Sequence, residues 1–224
     1  MMKFHDKQFP NESSSYRDAR NQLLDFEIKL RSDIEKLGKM RQSLPLGGKL
    51  IEDYCFTELQ GEKIVTVKLS ELFKPQKDSL VIYSFMYGPK MENPCPSCTS
   101  IIDTLNANII HISDRTNLVV VAKSPIERIV NFAKTRDWNK IRLLSSDQNS
   151  YNKDYFAETD TGNQIPALNV FTKTKDGIFH YYNTELLYCN LTGDPRHVDA
   201  IWPLWNLYDM LPEGRGNWYP KLNY

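Results

Sequence analysis

The chain has 224 residues, of which 41% are apolar, so it can bury one sizeable core, and we expect one main domain with extensions. Lysine plus arginine and aspartate plus glutamate both number 28, so the chain has no net charge and no basic field to hold nucleic acid. The N-terminus lacks the apolar core of a signal peptide, and no window approaches the roughly 20 apolar residues of a membrane span. We therefore expect a soluble, cytoplasmic protein with no nucleic-acid or membrane partner.

The first predicted element is a long amphipathic helix at residues 15–41. This stretch has no glycine or proline before Gly38, and its apolar residues recur at helical spacing. These residues are Tyr16, Ala19, Leu23, Phe26, Leu30, Ile34 and Leu37. The stripe needs a partner surface, which is either the protein's own domain or a second copy of the chain in a homodimer. Residues 1–48 are assigned to this N-terminal helical extension.

The next segment predicts a hairpin that leads into the core. Residues 52–67 contain two strand-like runs around Gly61, and residues 70–73 resemble a brief helical turn before Pro75. The run at 80–87 is apolar on both faces, which is typical of a central strand that helices cover on each side.

Helices and strands then alternate along the chain. The sequence predicts a helix from the cysteine pair described below to about residue 105, a strand at 118–122, a helix at 125–136 and a short strand at 141–144. The polar stretch 145–164 is too long and mixed for a tight turn, and it is predicted to be a functional or decorated loop.

A second hairpin is predicted near the C-terminus. Its strands, at 167–171 and 178–182, flank an Asp-Gly pair, and a terminal helix follows at about 198–210. Strands that alternate with helices and end in a hairpin indicate an α/β fold with a mixed sheet. We assign this main domain to residues 49–211 and a C-terminal tail to residues 212–224.

The most informative motif is Cys95-Pro96-Ser97-Cys98, directly after the predicted central strand. Four cysteines in a chain of this length are too few for a secreted disulfide framework, so the pair indicates chemistry. At a helix N-terminus, unpaired amides and the helix dipole stabilise a thiolate, which favours Cys95 as the nucleophile. Cys98 lies one turn further along the helix and can attack a mixed disulfide on Cys95, so it is the predicted resolving cysteine.

A zinc site is the main alternative for this motif, because CxxC is also half of a common four-ligand site. The sequence contains no second CxxC and no HxxxH. Single cysteines and histidines elsewhere could contribute in space, namely Cys55, Cys189, His111 and His180. Each has an apolar or strand-like context in which a buried thiol or a hydrogen-bonded imidazole is more common.

The order of strand, CxxC helix and a later strand that opens with Ile165-Pro166 resembles thioredoxin. The resemblance implies that Pro166 is a cis-proline that packs beside the cysteines and presents backbone to a substrate. A proline after the first cysteine is more similar to glutaredoxins, which indicates a reduction potential above that of thioredoxin. In a reducing cytosol such a pair would rest mainly reduced, which favours a reductase, peroxidase-like or sensing role over net disulfide formation.

Several phrases together resemble a bacterial family of thioredoxin-like proteins labelled domain of unknown function 899. They are Met40 to Pro45, Tyr54-Cys55-Phe56, Phe85-Met86-Tyr87-Gly88-Pro89, Val121 to Ile126, Tyr151 to Phe156 and Leu211 to Pro220. The resemblance runs from about residue 15 to the C-terminus. It implies a thioredoxin-like α/β domain with dithiol-disulfide oxidoreductase activity.

Two features set the chain apart from its apparent relatives. Family members usually carry a tryptophan and a glycine between the Gly-Pro and the CxxC, whereas residues 90–94 here read Lys-Met-Glu-Asn-Pro. The first hairpin also resembles the alkyl hydroperoxide reductase class, which uses Pro-x-x-x-Thr-x-x-Cys. Here Gly88 and Glu92 stand at the proline and threonine positions, so a peroxidase role ranks behind thiol exchange.

Other residues have both a functional and a structural interpretation. Five aromatic residues could wall a pocket beside the thiols or belong to the core: Tyr83, Tyr87, Trp138, Tyr155 and Phe156. Glu92 could transfer protons or be a solvated loop carboxylate. Arg115 and Arg215 could bind an anionic substrate or tie down a loop.

The sequence therefore predicts a thiol-disulfide oxidoreductase in which Cys95 attacks, Cys98 resolves and Pro166 presents the substrate. The partner would be a protein or small-molecule disulfide, and no metal or organic cofactor is required. The first alternative is a thioredoxin-fold interaction or dimerisation module without catalysis. A peroxiredoxin-like thiol peroxidase ranks behind it as the second alternative.

Overall fold

The protein is described from a computed structural model that defines residues 5–224. The interpretation of the N-terminus as lacking a signal-peptide core rests partly on residues 1–4, which lie outside the described residues. The chain divides into two compact units, one that ends at Pro45 and one that runs from Leu46 to Tyr224. No helix that residues 5–224 form combines the length and the apolar content needed to cross a membrane.

The first unit is dominated by one long helix, α1 (Ser14–Gln42), which confirms the predicted helix. The chain enters it at Ser13, whose hydroxyl accepts a hydrogen bond from the Tyr16 amide at 3.1 Å. This side-chain cap satisfies one of the amide groups that a helix N-terminus leaves free. No residue of α1 is buried, and the large side chains of its apolar stripe are exposed.

The second unit contains a sheet and the helices that cover it. Among the described residues, its strands are β1 (Cys55–Gln60), β2 (Lys63–Lys68), β3 (Ser79–Phe85), β4 (Asn117–Ala122), β5 (Arg142–Ser145), β6 (Ala167–Thr174) and β7 (Gly177–Asn183). Its helices are α2 (Pro96–Arg115), α3 (Ile126–Thr135), α4 (Tyr151–Asp154) and α5 (Leu204–Tyr208). Short 3₁₀ turns lie at Leu69–Leu72, Glu185–Leu187 and Arg196–Ala200.

The seven strands of the described chain form a single mixed sheet in the order β2-β1-β5-β4-β3-β6-β7. Strands β3, β4 and β5 are parallel and are joined through α2 and α3, whereas β6 pairs antiparallel with β3, and β7 antiparallel with β6. Two parallel strands with a crossover helix and an antiparallel hairpin beside them form the thioredoxin-like core. The predicted fold class, a thioredoxin-like mixed sheet with a long N-terminal helix and a C-terminal extension, is therefore confirmed.

The central strands divide their side chains between two cores. In β3, Tyr83 and Phe85 face the core that contains α2 and α3, whereas Leu80 and Ile82 face the opposite core. This alternation follows from the two-residue period of a strand, and burial on both faces explains why the run is almost entirely apolar. The prediction of helical cover on each side was only partly right. The second core is closed by the hairpin, a 3₁₀ turn and the short helix α4.

Two helices differ from their predicted bounds. Helix α2 continues to Arg115, ten residues beyond the predicted end, because Ile109 packs into the core and the Asn106 side chain accepts the amides of Lys140 and Ile141. These tertiary contacts outweigh the weak helix propensity of asparagine. The predicted terminal helix at 198–210 was wrong as one element. Pro203 has no amide hydrogen and separates a 3₁₀ turn from α5.

Candidate active site

The two cysteines lie at the start of α2, directly after the central strand. Cys95 is the N-cap residue, with extended backbone, and Pro96 occupies the first helical position. The Cys95 amide donates to the Met86 carbonyl at 3.0 Å, and the Thr99 amide and hydroxyl both donate to the Cys95 carbonyl. These hydrogen bonds fix the backbone of Cys95, while its sulfur faces the free amides at the helix end. The predicted position of the nucleophile at a helix N-terminus agrees with this geometry.

The two thiols differ in exposure and in acidity. Cys95 is partly exposed, whereas Cys98 is 1% exposed, and both are free thiols. The Cys98 thiol donates a hydrogen bond to Cys95, and with the amides of Cys98 and Ser97 it lowers the pKa of Cys95 to about 6. The same hydrogen bond, together with burial, raises the pKa of Cys98 well above its ordinary value. Near neutral pH, Cys95 is therefore a thiolate and Cys98 a thiol.

Pro166 lies one residue before β6 and lines the same pocket as Cys95 and Cys98. The predicted cis bond is not present: the Ile165–Pro166 peptide is trans, as are the other peptide bonds of the described residues. A trans bond is the intrinsically preferred isomer by about 0.5–1 kcal/mol, and the Ile165 amide is already held by the Ala157 carbonyl at 2.9 Å. The proline is thus beside the thiols, but without the isomer that the thioredoxin resemblance implied.

The loop before the cysteines is organised by one arginine from α3. The Arg128 guanidinium donates to the carbonyls of Gly88 and Glu92, each at 3.0 Å, and also to the carbonyl of Met91. It also lies over the Tyr87 ring, 4.2 Å from the ring centroid. This loop, residues 88–94, connects the end of β3 with the cysteines. The hydrogen bonds from the Arg128 guanidinium and its contact with the Tyr87 ring therefore stabilise the conformation of this loop.

A small apolar pocket opens beside the thiols. It has a volume of about 100 Å³, and its floor includes Tyr83, Cys95, Cys98 and Pro166. More than half of its lining comes from the C-terminal segment, residues 184–224, which we call the cap. The cap residues that close the pocket include Pro195, Val198, Ile201, Trp202, Trp205 and Tyr219. Sequence reasoning missed this roof, although the run of tryptophans at 202–205 and 218 signalled it.

The remaining sequence candidates lie mostly away from the pocket. Of the five aromatic residues, Tyr83 alone lines it; Tyr87 and Trp138 pack with Phe132 in the core. Glu92 and Arg115 are exposed, and Arg115 lies at the opposite end of α2 from the cysteines. Arg215 forms an ion pair with Asp194 at 2.6 Å and lies over the Trp205 ring, so it helps to hold the cap.

The metal-site alternative finds no cluster of ligands. Within residues 5–224, no group of three or more histidine, cysteine, aspartate and glutamate side chains has the arrangement of a metal site. Cys55 and Cys189 are exposed. The His180 ring stacks on Tyr155 and pairs with the Asn169 side chain at 3.0 Å. Among residues 5–224, Cys95 and Cys98 therefore have no further side chains beside them that would complete a metal site.

Comparison with known families gives one clear match. Residues 6–224 match the family described as bacterial protein of unknown function (DUF899). The chain belongs to this family, as the sequence segments quoted above predicted. A search of curated proteins finds no match.

Several solved structures are similar to this chain at low identity. Peroxidoxin BcpB from Mycobacterium tuberculosis has a TM-score of 0.48 and 17% identity over 71% of this chain and 95% of that one. The mitochondrial 2-Cys peroxiredoxin from Plasmodium falciparum has a TM-score of 0.47 and 15% identity, with 73% and 95% coverage. Reduced Prx3 from Vibrio vulnificus, in complex with H₂O₂, has a TM-score of 0.46 and 14% identity, with 61% and 84% coverage. At these values the likeness carries no information about activity.

Proposed function

We propose that the protein is a dithiol-disulfide oxidoreductase in which Cys95 is the nucleophile and Cys98 the resolving thiol. The observation that carries the proposal is the placement of both thiols in one pocket at the N-terminus of α2, with Cys95 partly exposed and Cys98 buried. In this position the Cys98 thiol and the helix amides lower the pKa of Cys95 to about 6, and burial beside Cys95 raises the pKa of Cys98. A dithiol with one acidic and one protected thiol is the arrangement that sequential thiol exchange needs. Pro166 would sit beside the reacting sulfurs and position the substrate.

The reaction would take place in two exchange steps. The Cys95 thiolate attacks one sulfur of a disulfide R–S–S–R, which forms a mixed disulfide and releases one thiolate, and that thiolate takes a proton from solvent. Cys98 then loses its proton and attacks the sulfur of Cys95, which releases the second thiolate. The enzyme dithiol is oxidised by two electrons to a disulfide, and the substrate is reduced to two thiols.

Thiol peroxidation is less well supported by the site. A peroxidase needs donors that polarise the peroxide, and the motif threonine of that class is replaced here by Glu92, which is exposed. No arginine lines the pocket in the described part of the chain. The nearby Arg128 already donates to three backbone carbonyls and lies over Tyr87, so it is not free to bind a peroxide.

Trapping of the mixed disulfide tests the proposal. A Cys98→Ser variant, treated with a low-mass disulfide, should accumulate one adduct on Cys95 that mass spectrometry can locate. Cys95→Ser should accumulate no adduct in the motif, because Cys98 is buried. Cys189→Ser is the matched control, because Cys189 is exposed and outside the motif, and it should behave as the wild type. An adduct that forms equally on Cys55 or Cys189, and not preferentially on Cys95, would contradict the proposal.

A further inference from the structure

The cap packs beside the dithiol and is held there by aromatic, hydrogen-bond and ionic contacts. Trp202 and Trp205 are 1% and 2% exposed and meet edge to face, with ring centroids 4.8 Å apart. The Trp202 indole donates to the Ser100 hydroxyl of α2 at 2.9 Å, which ties the cap to the helix that carries the cysteines. Arg196 pairs with Asp199 and Asp209, each at 2.6 Å, within the cap itself.

The size of the pocket restricts what can reach Cys95. Its volume of about 100 Å³ is well below the roughly 300–1,000 Å³ of pockets that hold drug-sized ligands. A disulfide exchanges only when one of its sulfurs comes within bonding distance of the Cys95 sulfur. A small molecule can meet this condition inside the pocket with the cap in place, whereas a folded protein that presents a disulfide can approach only the part of Cys95 that is exposed.

The chemistry of the lining restricts the substrate further. Among the described residues that line the pocket, the Cys95 thiolate is the only charged side chain. A carboxylate on the substrate would lose its hydration there and face a like charge, and an ammonium group would find an opposite charge only in the thiolate that the exchange consumes. Uncharged substituents with apolar surface match the lining formed by Ile101, Leu168 and Val198.

Two buried polar groups in this apolar setting are hydrogen-bond donors. The Tyr83 hydroxyl has no nitrogen or oxygen partner among the described residues and interacts with the Cys98 sulfur, and the Trp205 indole N–H has no partner among those residues; both side chains line the pocket. Both can act as donors, and buried donors are normally satisfied. An anionic sulfur formed in the pocket is an acceptor that either group could bind.

We propose that the pocket takes a small, uncharged disulfide with apolar substituents, and that the donors of Tyr83 and Trp205 stabilise the sulfur anions formed during exchange. This inference rests on the proposed function, because it names the substrate class of the same dithiol. The exchange steps and their electron balance are those given above, with R a short apolar group.

Single-turnover oxidation of the reduced full-length protein tests the substrate class. The probes are diethyl disulfide, cystamine, oxidised glutathione and insulin, and each rate is divided by the rate of the same probe with a free low-mass thiol. After this correction, diethyl disulfide should react at least on the order of tenfold faster than the charged cystamine of similar length, and faster still than glutathione disulfide or insulin. Equal corrected rates, or a preference for insulin, would overturn the substrate class.

The outcomes separate the two proposals. If insulin or glutathione disulfide oxidises Cys95 and Cys98 reversibly and fastest, thiol exchange stands and the small-substrate inference fails. If none of the probes produces the Cys95–Cys98 disulfide, both fail.

Two variants test the parts of the pocket. Tyr83→Phe removes one hydroxyl and should slow exchange with diethyl disulfide about tenfold, while the corrected rate with insulin changes less. An equal loss with both probes would overturn the donor role.

Ile201→Ala, at a half-buried cap position, should raise the rate of exchange with dibutyl disulfide relative to the rate with diethyl disulfide. An unchanged ratio would show that the cap does not set the size limit.

Discussion

Two segments extend the thioredoxin-like core, and their large apolar side chains have opposite environments. In the cap, Trp202 and Trp205 are 1% and 2% exposed. In α1, Phe26 is 72% exposed, and no residue of the helix is buried. The cap is therefore part of the core and of the thiol pocket. The large apolar side chains of the α1 stripe are exposed, and the homodimer that the sequence predicted through this helix stays a prediction.

The largest expected effect is on the free energy of unfolding, which a substitution in the cap should change far more than a substitution in α1. Trp202→Ala should lower the free energy of unfolding by about 3–5 kcal/mol, because it removes a fully buried aromatic side chain. Phe26→Ala is the matched control on α1 and should change it by no more than about 0.5 kcal/mol, because that ring is exposed. Urea denaturation measures both values. Similar losses in the two variants would contradict the contrast between cap and helix.

The second effect compares two arginines. Arg128→Gln should cost about 1.5–3 kcal/mol, because three carbonyls of the loop before the cysteines lose a charged donor. Arg20→Gln on α1 removes only a solvent-exposed pair with Glu27 and should cost no more than about 0.5 kcal/mol. The same denaturation experiment compares them. A neutral Arg128→Gln variant would show that this arginine does not organise the loop.

The third effect concerns the acidity of Cys95. The rate of its alkylation should rise with pH through about 6 and level off above neutrality, because only the thiolate reacts. In Cys98→Ala the principal donor to Cys95 is lost, so the apparent pKa should rise from about 6 toward the ordinary value of roughly 8.5. Cys98→Ser keeps a hydroxyl donor and should lie between the two. An apparent pKa that is the same in all three proteins would exclude the role of Cys98 as donor.

The smallest effect lies at the start of α1. Ser13→Ala removes the side-chain cap of the Tyr16 amide and should weaken the first turn of the helix by about 1 kcal/mol. Amide hydrogen exchange at residues 14–18 measures this loss. The apparent pKa of Cys95 should not change. A shift in that pKa would show that the helix influences the thiols, which this account does not predict.

Local patterns were sufficient to predict most of the core. The two-residue and helical periods gave β3, β4, α3 and the hairpin β6–β7, because these elements carry their burial pattern in consecutive residues. The CxxC motif also predicted that Cys95 lies at the start of α2, because the motif is a local pattern of four consecutive residues.

What the sequence could not give depends on contacts between distant segments. The roof of the pocket is formed by Trp202 and Trp205, more than 100 positions after Cys95, and no local period indicates where those rings pack. The low pKa of Cys95 depends on the hydrogen bond from Cys98, which burial keeps protonated. The isomer at Pro166 was predicted from a resemblance to thioredoxin and not from the residues around it.

The central claim is that Cys95 and Cys98 form a reversible redox pair, and thiol counting after full equilibration in glutathione redox buffers tests it most directly, because the equilibrium does not depend on how fast glutathione reaches Cys95. The wild type should show one transition of two thiols that is absent in Cys95→Ser and in Cys98→Ser. The reduction potential at the midpoint should be more positive than the roughly −270 mV of thioredoxin, because stabilisation of the Cys95 thiolate favours the reduced form. No transition across the buffer range, or one that persists in either variant, would contradict the claim.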